Sequence, residues 1–176
     1  MSMKGTPDGM CRADLDGGYI RQIIRVGNTY GIALDPIERK LYFSKPQGDI
    51  LRADLNGSGV ETLAKVDRPD VILDITLDPV RRKIYWYENA GVTRANIDGT
   101  DRVSIIAEEV YHLAMDEEAG RLYWSGASGI HRGRVDGTEA ELLVDGGEGS
   151  PLVLLYPEST APQRQARSAP RVRKPL

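Results

Sequence analysis

Residues 30–66, YGIALDPIERKLYFSKPQGDILRADLNGSGVETLAKV, decide the fold because the same pattern returns twice along the chain. The second block is residues 73–109, LDITLDPVRRKIYWYENAGVTRANIDGTDRVSIIAEE. The third block is residues 111–147, YHLAMDEEAGRLYWSGASGIHRGRVDGTEAELLVDGG. The turn glycines of the blocks lie 42 and 38 residues apart, at Gly57, Gly99 and Gly137. A period near 40 without a helical pattern predicts a four-stranded blade unit.

Each block divides into four short strands, which we call A to D in chain order. Strand A reads GIALD, ITLD or LAMD, and strand B reads KLYFS, KIYWY or RLYWS, rich in the aromatic and branched residues that favour sheets. Strand C reads DILRADL, GVTRANI or GIHRGRV, and strand D reads VETLAKV, RVSIIAE or AELLVDG. Asn-Gly or Asp-Gly between strands C and D predicts a two-residue hairpin, and the series predicts an antiparallel meander.

The ends of the chain carry incomplete repeats. Residues 10–26 match strands C and D and form a predicted half-blade, preceded by an irregular N-terminus at residues 1–9. Residues 151–158, PLVLLYPE, fall where a new strand A is expected. Fifteen strands are therefore predicted between residues 10 and 158. Residues 159–176 are rich in proline, arginine and serine, which predicts a basic, disordered tail.

Composition and charge exclude several classes of protein. Residues 157–176 carry a net charge of +4, so the net charge of −3 leaves −7 for the remainder, which argues against a nucleic-acid-binding surface there. One cysteine and two histidines leave little for a disulfide, a metal site or another cofactor, and we expect none. The sequence contains neither an apolar run of membrane-spanning length nor a signal-peptide pattern at residues 1–14, and it leaves the compartment open.

These motifs together resemble the class B (YWTD) repeat of the low-density lipoprotein receptor. The strand-B strings LYFS, IYWY and LYWS resemble its YWTD motif, although the threonine and aspartate of that motif are absent. The strings ILRADLNGS, VTRANIDGT and CRADLDGG resemble its I-x-R-x-x-L-D-G-S signature, and LDP recurs at residues 34–36 and 77–79. The resemblance covers residues 10 to about 158.

The resemblance implies an all-β fold, a six-bladed β-propeller of four-stranded antiparallel blades that serves mostly as a binding platform. Three full blades and two partial ones make this chain an incomplete segment of three to four blades. An open arc of blades leaves apolar faces uncovered, so self-association is expected. The alternatives are a monomer that closes as a four-bladed ring and two chains that close as an eight-bladed ring. An alternative is that the chain is a truncated fragment of a larger YWTD protein, with its function in the missing blades.

Most repeated residues are expected to be structural. Aromatic side chains of strand B are large enough to fill the gap between blades, and we expect burial of four of them: Tyr42, Trp86, Tyr123 and Trp124. The arginines of strand C are predicted to tie neighbouring blades together, with His131-Arg132 at their position in the third block: Arg12, Arg52 and Arg94. Their expected partners are the carboxylates that end strand A: Asp35, Asp78 and Asp116.

The varied loops are the candidate binding residues, because varied loops on a fixed scaffold are how one fold serves many ligands. In a propeller the D-to-A and B-to-C connections open on one face. A protein or peptide ligand is expected there, since tyrosine and arginine are favoured interface anchors. The candidate binding residues are Asn28, Tyr30, Lys45, Gln47, Arg68, Asp70, Glu88, Asn89, Tyr111 and His112.

Catalysis has weaker support in the sequence, and a non-enzymatic function is expected. No phosphate-binding glycine motif and no nucleophile–base pair is recognisable. The alternative is a lyase or hydrolase of the propeller type, with a channel-mouth site at His112 and Glu109. A cluster of histidine and carboxylate groups within hydrogen-bond reach at the channel mouth would distinguish this enzyme from a binding module.

Overall fold

The computed structural model describes residues 9–45, 48–66, 74–88 and 91–146. Within these residues the chain is all-β, with fourteen strands and no helix. The strands form three four-stranded antiparallel sheets and one two-stranded sheet. The predicted fold class is thereby confirmed, while the fifteenth predicted strand and the predicted tail lie outside the described residues.

Chain order equals spatial order in every sheet, as the repeat predicts. The half-blade contains β1 (Met10–Arg12) and β2 (Arg21–Ile24). Blade 1 contains β3 (Ile32–Asp35), β4 (Lys40–Ser44), β5 (Ile50–Asp54) and β6 (Glu61–Ala64). Blade 2 contains β7 (Ile75–Asp78), β8 (Lys83–Glu88), β9 (Gly91–Asn96) and β10 (Val103–Ile106). Blade 3 contains β11 (Val110–Asp116), β12 (Arg121–Gly126), β13 (Gly129–Arg134) and β14 (Glu141–Asp145).

The core lies between blades. Successive strand residues point to opposite faces of a sheet, so each blade has a near face toward the preceding blade and a far face toward the next. In β4, Leu41 and Phe43 pack against the half-blade, whereas Tyr42 packs against blade 2. In β8, Ile84 and Trp86 pack toward blade 1. Three apolar clusters therefore stack the arc, one at each blade border.

The aromatic side chains follow this rule, with one exception. Tyr42, Trp86 and Trp124 are fully buried, as predicted. Burial also raises the pKa of Tyr85, on the far face of blade 2, to about 12. Tyr123 occupies the equivalent far-face position of blade 3 but is only half-buried. Tyr123 is mostly covered, as predicted, but less so than Tyr85, because no described strand lies against the far face of blade 3.

A second uncovered surface lies at the near face of blade 1. Ile32 and Leu34 of strand A share that face, as the alternation predicts, yet their exposed fractions are 50% and 60%. The equivalent residues of blade 2, Ile75 and Leu77, are only 3% and 5% exposed because they pack in the cluster that contains Tyr42. The half-blade supplies strands C and D alone, so no described strand covers strand A of blade 1.

The turn between strands C and D differs from the predicted two-residue hairpin. In blade 1 the N–H of Gly57 donates to the carbonyl of Asp54 at 2.8 Å, and the N–H of Asp54 donates to the carbonyl of Ser58 at 2.9 Å. Of the three loop residues 55–57, only Gly57 has positive φ, at 87°. This is a three-residue loop in which glycine follows the turn as a G1 bulge. The Asn56 side chain accepts the N–H of Ser58 at 2.9 Å and fixes the turn.

The turn glycine also touches the preceding blade. At Gly99, φ is 87° and a Cβ atom would stand 2.5 Å from the carbonyl oxygen of Leu63 in strand D of blade 1. Gly57 and Gly137 make the same approach to strand D of their preceding blades, at Ile23 and Ile105. Gly17, in the half-blade, has nothing within 4 Å of that point. The glycine therefore permits both the bulge and the close stacking of one blade on another.

The predicted partners are wrong for Arg52 and for Arg132, which occupies the same position in blade 3. Arg52 forms a salt bridge to Glu61 in strand D of its own blade at 2.6 Å, and Arg132 pairs in the same way with Glu141. Both glutamates stand directly opposite the arginines in the strand register. A cross-strand partner is available without crossing to the next blade, so these arginines pair within their own sheet.

Arginines from the A–B turn of blade 2 make the ties between blades instead. Arg82 reaches Asp35 of blade 1 at 3.3 Å. Arg81 donates to Asp78 of its own blade at 2.9 Å and to the carbonyl of Glu117 in blade 3 at 2.8 Å. Asp35 also accepts two backbone N–H groups of its own turn. The strand-A aspartates therefore do serve as anchors, with arginines of a different turn as their partners.

Replacing Trp86 with alanine should cost about 3–5 kcal/mol of unfolding free energy, because the side chain fills the border between blades 1 and 2. Tyr123→Ala is the matched control, since the same strand position in blade 3 is only half-buried, and it should cost less than half as much. Urea unfolding followed by far-UV circular dichroism measures both. A Trp86→Ala loss below about 1 kcal/mol would contradict burial of this residue between blades.

Candidate functional site

The antiparallel meander gives the arc two different ends. The A–B and C–D turns share one end, which we call the turn end. The B–C and D–A connections share the other, which we call the loop end. The turn end is occupied by repeated hydrogen bonds, such as those that Asp35 and Asp78 make to backbone N–H groups. The loop end carries the side chains that differ from blade to blade.

The structure places six of the ten predicted binding residues. Asn28 and Tyr30 are exposed in the connection between β2 and β3, and Lys45 is half-buried directly after β4. Glu88, Tyr111 and His112 are half-buried. The other four lie outside the described residues: Gln47, Arg68, Asp70 and Asn89.

Three of these residues were predicted in loops but lie in strands. Glu88 is the last residue of β8, and Tyr111 and His112 belong to β11, which begins already at Val110. A register shift between Val110 and His112 lets β11 extend toward the loop end. The prediction is wrong because β11 pairs with β12 beyond the apolar residues that mark the strand in the sequence, and β8 pairs with β9 as far as Glu88, opposite Gly91.

An aspartate and a histidine meet across the border of blades 2 and 3. Gly31, Asp74 and His112 each precede the first near-face residue of strand A, so they are equivalent positions in successive blades. His112 Nδ1 lies 3.9 Å from Asp74 Oδ2. Asp74 Oδ2 also accepts the N–H of Leu113 at 3.0 Å, and Oδ1 accepts the N–H of Ile75 at 2.9 Å. The Asp74 carboxylate therefore links strand A of blade 2 to strand A of blade 3.

The environment of Asp74 changes its acidity. Burial raises the pKa of Asp74 above its ordinary value, while the two N–H donors and His112 act in the opposite direction. The sequence suggested Glu109 as the carboxylate beside His112, whereas the structure pairs His112 with Asp74. Asp74 is 38 residues away, and only the stacking of blades brings the two together.

A second polar cluster lies in blade 3. Glu108, in the D–A connection, accepts the indole N–H of Trp124 at 2.6 Å and lies 3.9 Å from His131 Nδ1. His131 stacks on Trp124 with ring centroids 5.4 Å apart. Its Nε2 lies 2.8 Å from the Ser128 hydroxyl. Glu108, Ser128 and His131 were not among the predicted binding residues. The alternation of faces along strand C could have predicted that His131 lies opposite Trp124. It could not have predicted the contact with Glu108, which lies in the D–A connection.

The arrangement limits what chemistry the described residues support. Both histidines have a carboxylate at 3.9 Å, beyond hydrogen-bond distance. Among the described residues no group of three or more histidine, cysteine, aspartate or glutamate side chains is placed to hold a metal ion. In that same part of the chain we find no helix long and apolar enough to cross a membrane.

The similarity to known proteins is of limited extent at the level of sequence. No protein-family model matches the chain. The protein cueball of Drosophila willistoni is 29% identical over 104 residues, which cover 50% of this chain and 15% of that protein. The chain thus spans less than a fifth of the length of this relative.

Solved structures show the fold. A chain of the nidogen/laminin complex superposes with a TM-score of 0.66 at 23% identity, covering 72% of this chain and 52% of that one. A gluconolactonase of Xanthomonas campestris superposes with a TM-score of 0.58 at 20% identity, covering 68% of this chain and 42% of that one. These neighbours are β-propellers, and the chain spans about half the length of each. The chain is therefore a β-propeller segment.

Asp74→Ala should lower the unfolding free energy by about 1–3 kcal/mol, because the N–H groups of Ile75 and Leu113 lose their acceptor. Asp74→Asn keeps one acceptor oxygen and should cost less. Asp145→Ala, at an exposed position of β14, is the control and should change stability by no more than about 0.5 kcal/mol. Denaturant unfolding measures all three, and equal effects of Asp74→Ala and Asp145→Ala would contradict the tie between blades.

Proposed function

We propose that this chain is a non-enzymatic binding module that takes a protein or peptide ligand at its loop end. The observation that carries the proposal is the contrast between the two ends. At the turn end, aspartate caps and arginine ties hold the framework together. At the loop end, successive blades present different groups at equivalent positions: glycine at 31, aspartate at 74 and histidine at 112.

The loop end has the chemistry of a polypeptide-binding surface. Tyr30 is exposed by 47% and can present an aromatic ring, while Asn28 offers an amide beside it. Tyr111 and His112 extend the surface to blade 3, and Lys45 and Glu88 add charges of both signs. Aromatic anchors within a polar surround are typical of protein interfaces. The laminin partner of the nidogen neighbour is consistent with such a use of this fold.

The resemblance to the YWTD repeat supports the same proposal at the level of the family. The blade order and the recurring strand motifs fit a segment of such a propeller, and the shared position of each turn glycine agrees with it. Blades of that family mostly serve as binding platforms. Membership of the chain in the YWTD family is part of the proposal.

Peptides selected from a random phage-displayed library against the purified chain provide the probe. Tyr30→Ala and His112→Ala should each weaken the selected peptides at least about ten-fold, which corresponds to about 1.4 kcal/mol. Ile37→Ala and Val80→Ala are matched controls, since both are exposed apolar residues of A–B turns at the opposite end. Titration by biolayer interferometry measures the affinities.

Two results would contradict the proposal. The first is a selection that yields no peptide above background. The second is a set of peptides that lose affinity with Ile37→Ala or Val80→Ala and keep it with the loop-end variants. Circular dichroism of each variant shows that a loss of binding does not arise from unfolding.

The Asp74–His112 pair favours one second candidate, a hydrolase with its site at the channel mouth. His112 Nδ1 stands 3.9 Å from Asp74 Oδ2, so general-base catalysis requires the two groups to move into hydrogen-bond contact. The gluconolactonase neighbour suggests glucono-δ-lactone as the probe. Lactone opening by the purified chain, followed as acid release and lost in His112→Gln, would select this candidate over the binding module. Equal rates with and without the chain would exclude lactone hydrolysis.

A further inference from the structure

The C–D turn of blade 1 carries a modification signal. Asn56, Gly57 and Ser58 read Asn-X-Ser with X other than proline, which is the acceptor pattern for N-linked oligosaccharides. The other asparagines of the chain have no serine or threonine two residues further on. The sequence therefore offers one candidate acceptor, and the structure shows what surrounds its side chain.

The equivalent turns carry aspartate where blade 1 carries asparagine. Asp16, Asp98 and Asp136 each use Oδ1 to accept the backbone N–H two residues further on, at 2.9 to 3.0 Å. Asn56 Oδ1 accepts the N–H of Ser58 in the same way, at 2.9 Å. A carboxylate thus fixes the turn as well as an amide does. The fold does not require an asparagine at position 56.

The amide nitrogen of Asn56 takes no part in the turn. The Ser58 hydroxyl donates to Asn56 Oδ1 at 2.7 Å, in addition to the backbone bond, so the amide oxygen accepts two hydrogen bonds. Among the described residues, Nδ2 donates to none. A sugar attached to Nδ2 therefore leaves both contacts of the turn in place.

The surface around the turn is accessible. Asn56 and Ser58 are both exposed. Asn56 lines a small pocket of about 70 Å³ whose other lining residues belong to the half-blade and include Arg12, Tyr19 and Arg21. Tyr19 is exposed by 76%. An oligosaccharide at Asn56 therefore extends over exposed polar and aromatic side chains and displaces no part of the packed blade border.

We propose that Asn56 is an acceptor for an N-linked oligosaccharide, which it carries at the turn end of blade 1. In the attachment step the carboxamide nitrogen of Asn56 attacks the anomeric carbon of a sugar held on a polyprenyl diphosphate. A C–N bond forms while the bond between that carbon and the diphosphate oxygen breaks. The polyprenyl diphosphate leaves with the electron pair, the nitrogen loses one proton, and no group is oxidised or reduced.

This modification site is separate from the ligand site of the proposed function. Asn56 lies at the turn end, whereas the candidate binding residues Tyr30 and His112 belong to the loop end. The inference does not depend on the proposed function, and either can fail without the other. It requires that the chain passes through a compartment that holds lipid-linked oligosaccharide.

Secretion of the full chain from cultured eukaryotic cells, behind a secretory leader, is the direct test. The secreted chain should carry one oligosaccharide, seen on a gel as a mobility shift that peptide-N-glycosidase removes. Removal in heavy-oxygen water leaves a labelled aspartate at position 56, which peptide mass spectrometry distinguishes from spontaneous deamidation of the Asn56-Gly57 pair. A secreted natural chain without label at position 56 would overturn the proposal.

Single substitutions separate the modification from the fold. Asn56→Asp should abolish the shift and leave the urea midpoint of the deglycosylated chain unchanged, because Asp98 fixes the same turn in blade 2. Ser58→Ala should lower the occupancy of Asn56 at least about ten-fold. Ser58→Thr should keep it, since Thr100 and Thr138 take this place in the other blades. A shift that persists in Asn56→Asp would overturn the proposal.

Moving the signal to another blade tests whether this turn admits the sugar. In the Asn56→Asp background, Asp98→Asn creates Asn-Gly-Thr at an exposed turn with the same hydrogen bonds and should restore one oligosaccharide. Asp16→Asn is the matched control, because Gly18 supplies no hydroxyl, and it should stay unmodified. Equal modification of the two variants, or none in Asp98→Asn, would contradict the assignment to an accessible Asn-X-Ser turn.

Discussion

The structure depends on the close stacking of each blade on strand D of the blade before it. The glycine that ends the C–D turn lies so near to a carbonyl of that strand that a Cβ atom has no room, at Gly57, Gly99 and Gly137 alike. This approach lets the aromatic and aliphatic residues of strand B close the blade border. A single sheet of this composition would leave two apolar faces in water, so each blade needs both neighbours.

The same dependence explains both ends of the arc. Where a neighbour is present, Trp86 and Tyr42 are fully buried, and Ile75 and Leu77 are covered. Where the neighbour is absent from the described residues, equivalent positions are less covered: Leu34 is exposed at one end and Tyr123 is only half-buried at the other. The residues are apolar or aromatic in both cases. Their exposed fractions differ because a neighbouring blade packs against one set and no described blade packs against the other. The apolar ends are therefore a consequence of the repeat and not of a local sequence change.

The repeat allowed the sequence to predict the strands, their order and most of the border residues. It did so because strand position and face follow from period and alternation alone. The partners of charged groups were harder to predict. Arg52 has Glu61 across its own sheet, and Arg82 reaches Asp35 only because a turn leans on the preceding blade. The Asp74–His112 contact likewise depends on how two blades meet, which residue spacing does not encode. The sequence thus predicted at which end of the blades the candidate site lies. Which side chains contact each other at that end became clear only from the structure.

The central claim is that the turn glycines hold the blades at close approach, and one comparison of variants tests it directly. Gly99→Ala and Gly17→Ala both place alanine at positive φ, at 87° and 81°, directly after Asp98 and Asp16 in turns with the same hydrogen bonds. Only Gly99 faces a carbonyl of a preceding blade, that of Leu63. In urea unfolding, Gly99→Ala should lose about 1–3 kcal/mol more stability than Gly17→Ala, because the added methyl group must push two blades apart. Equal losses would show that the glycines serve the turn alone and would contradict the account.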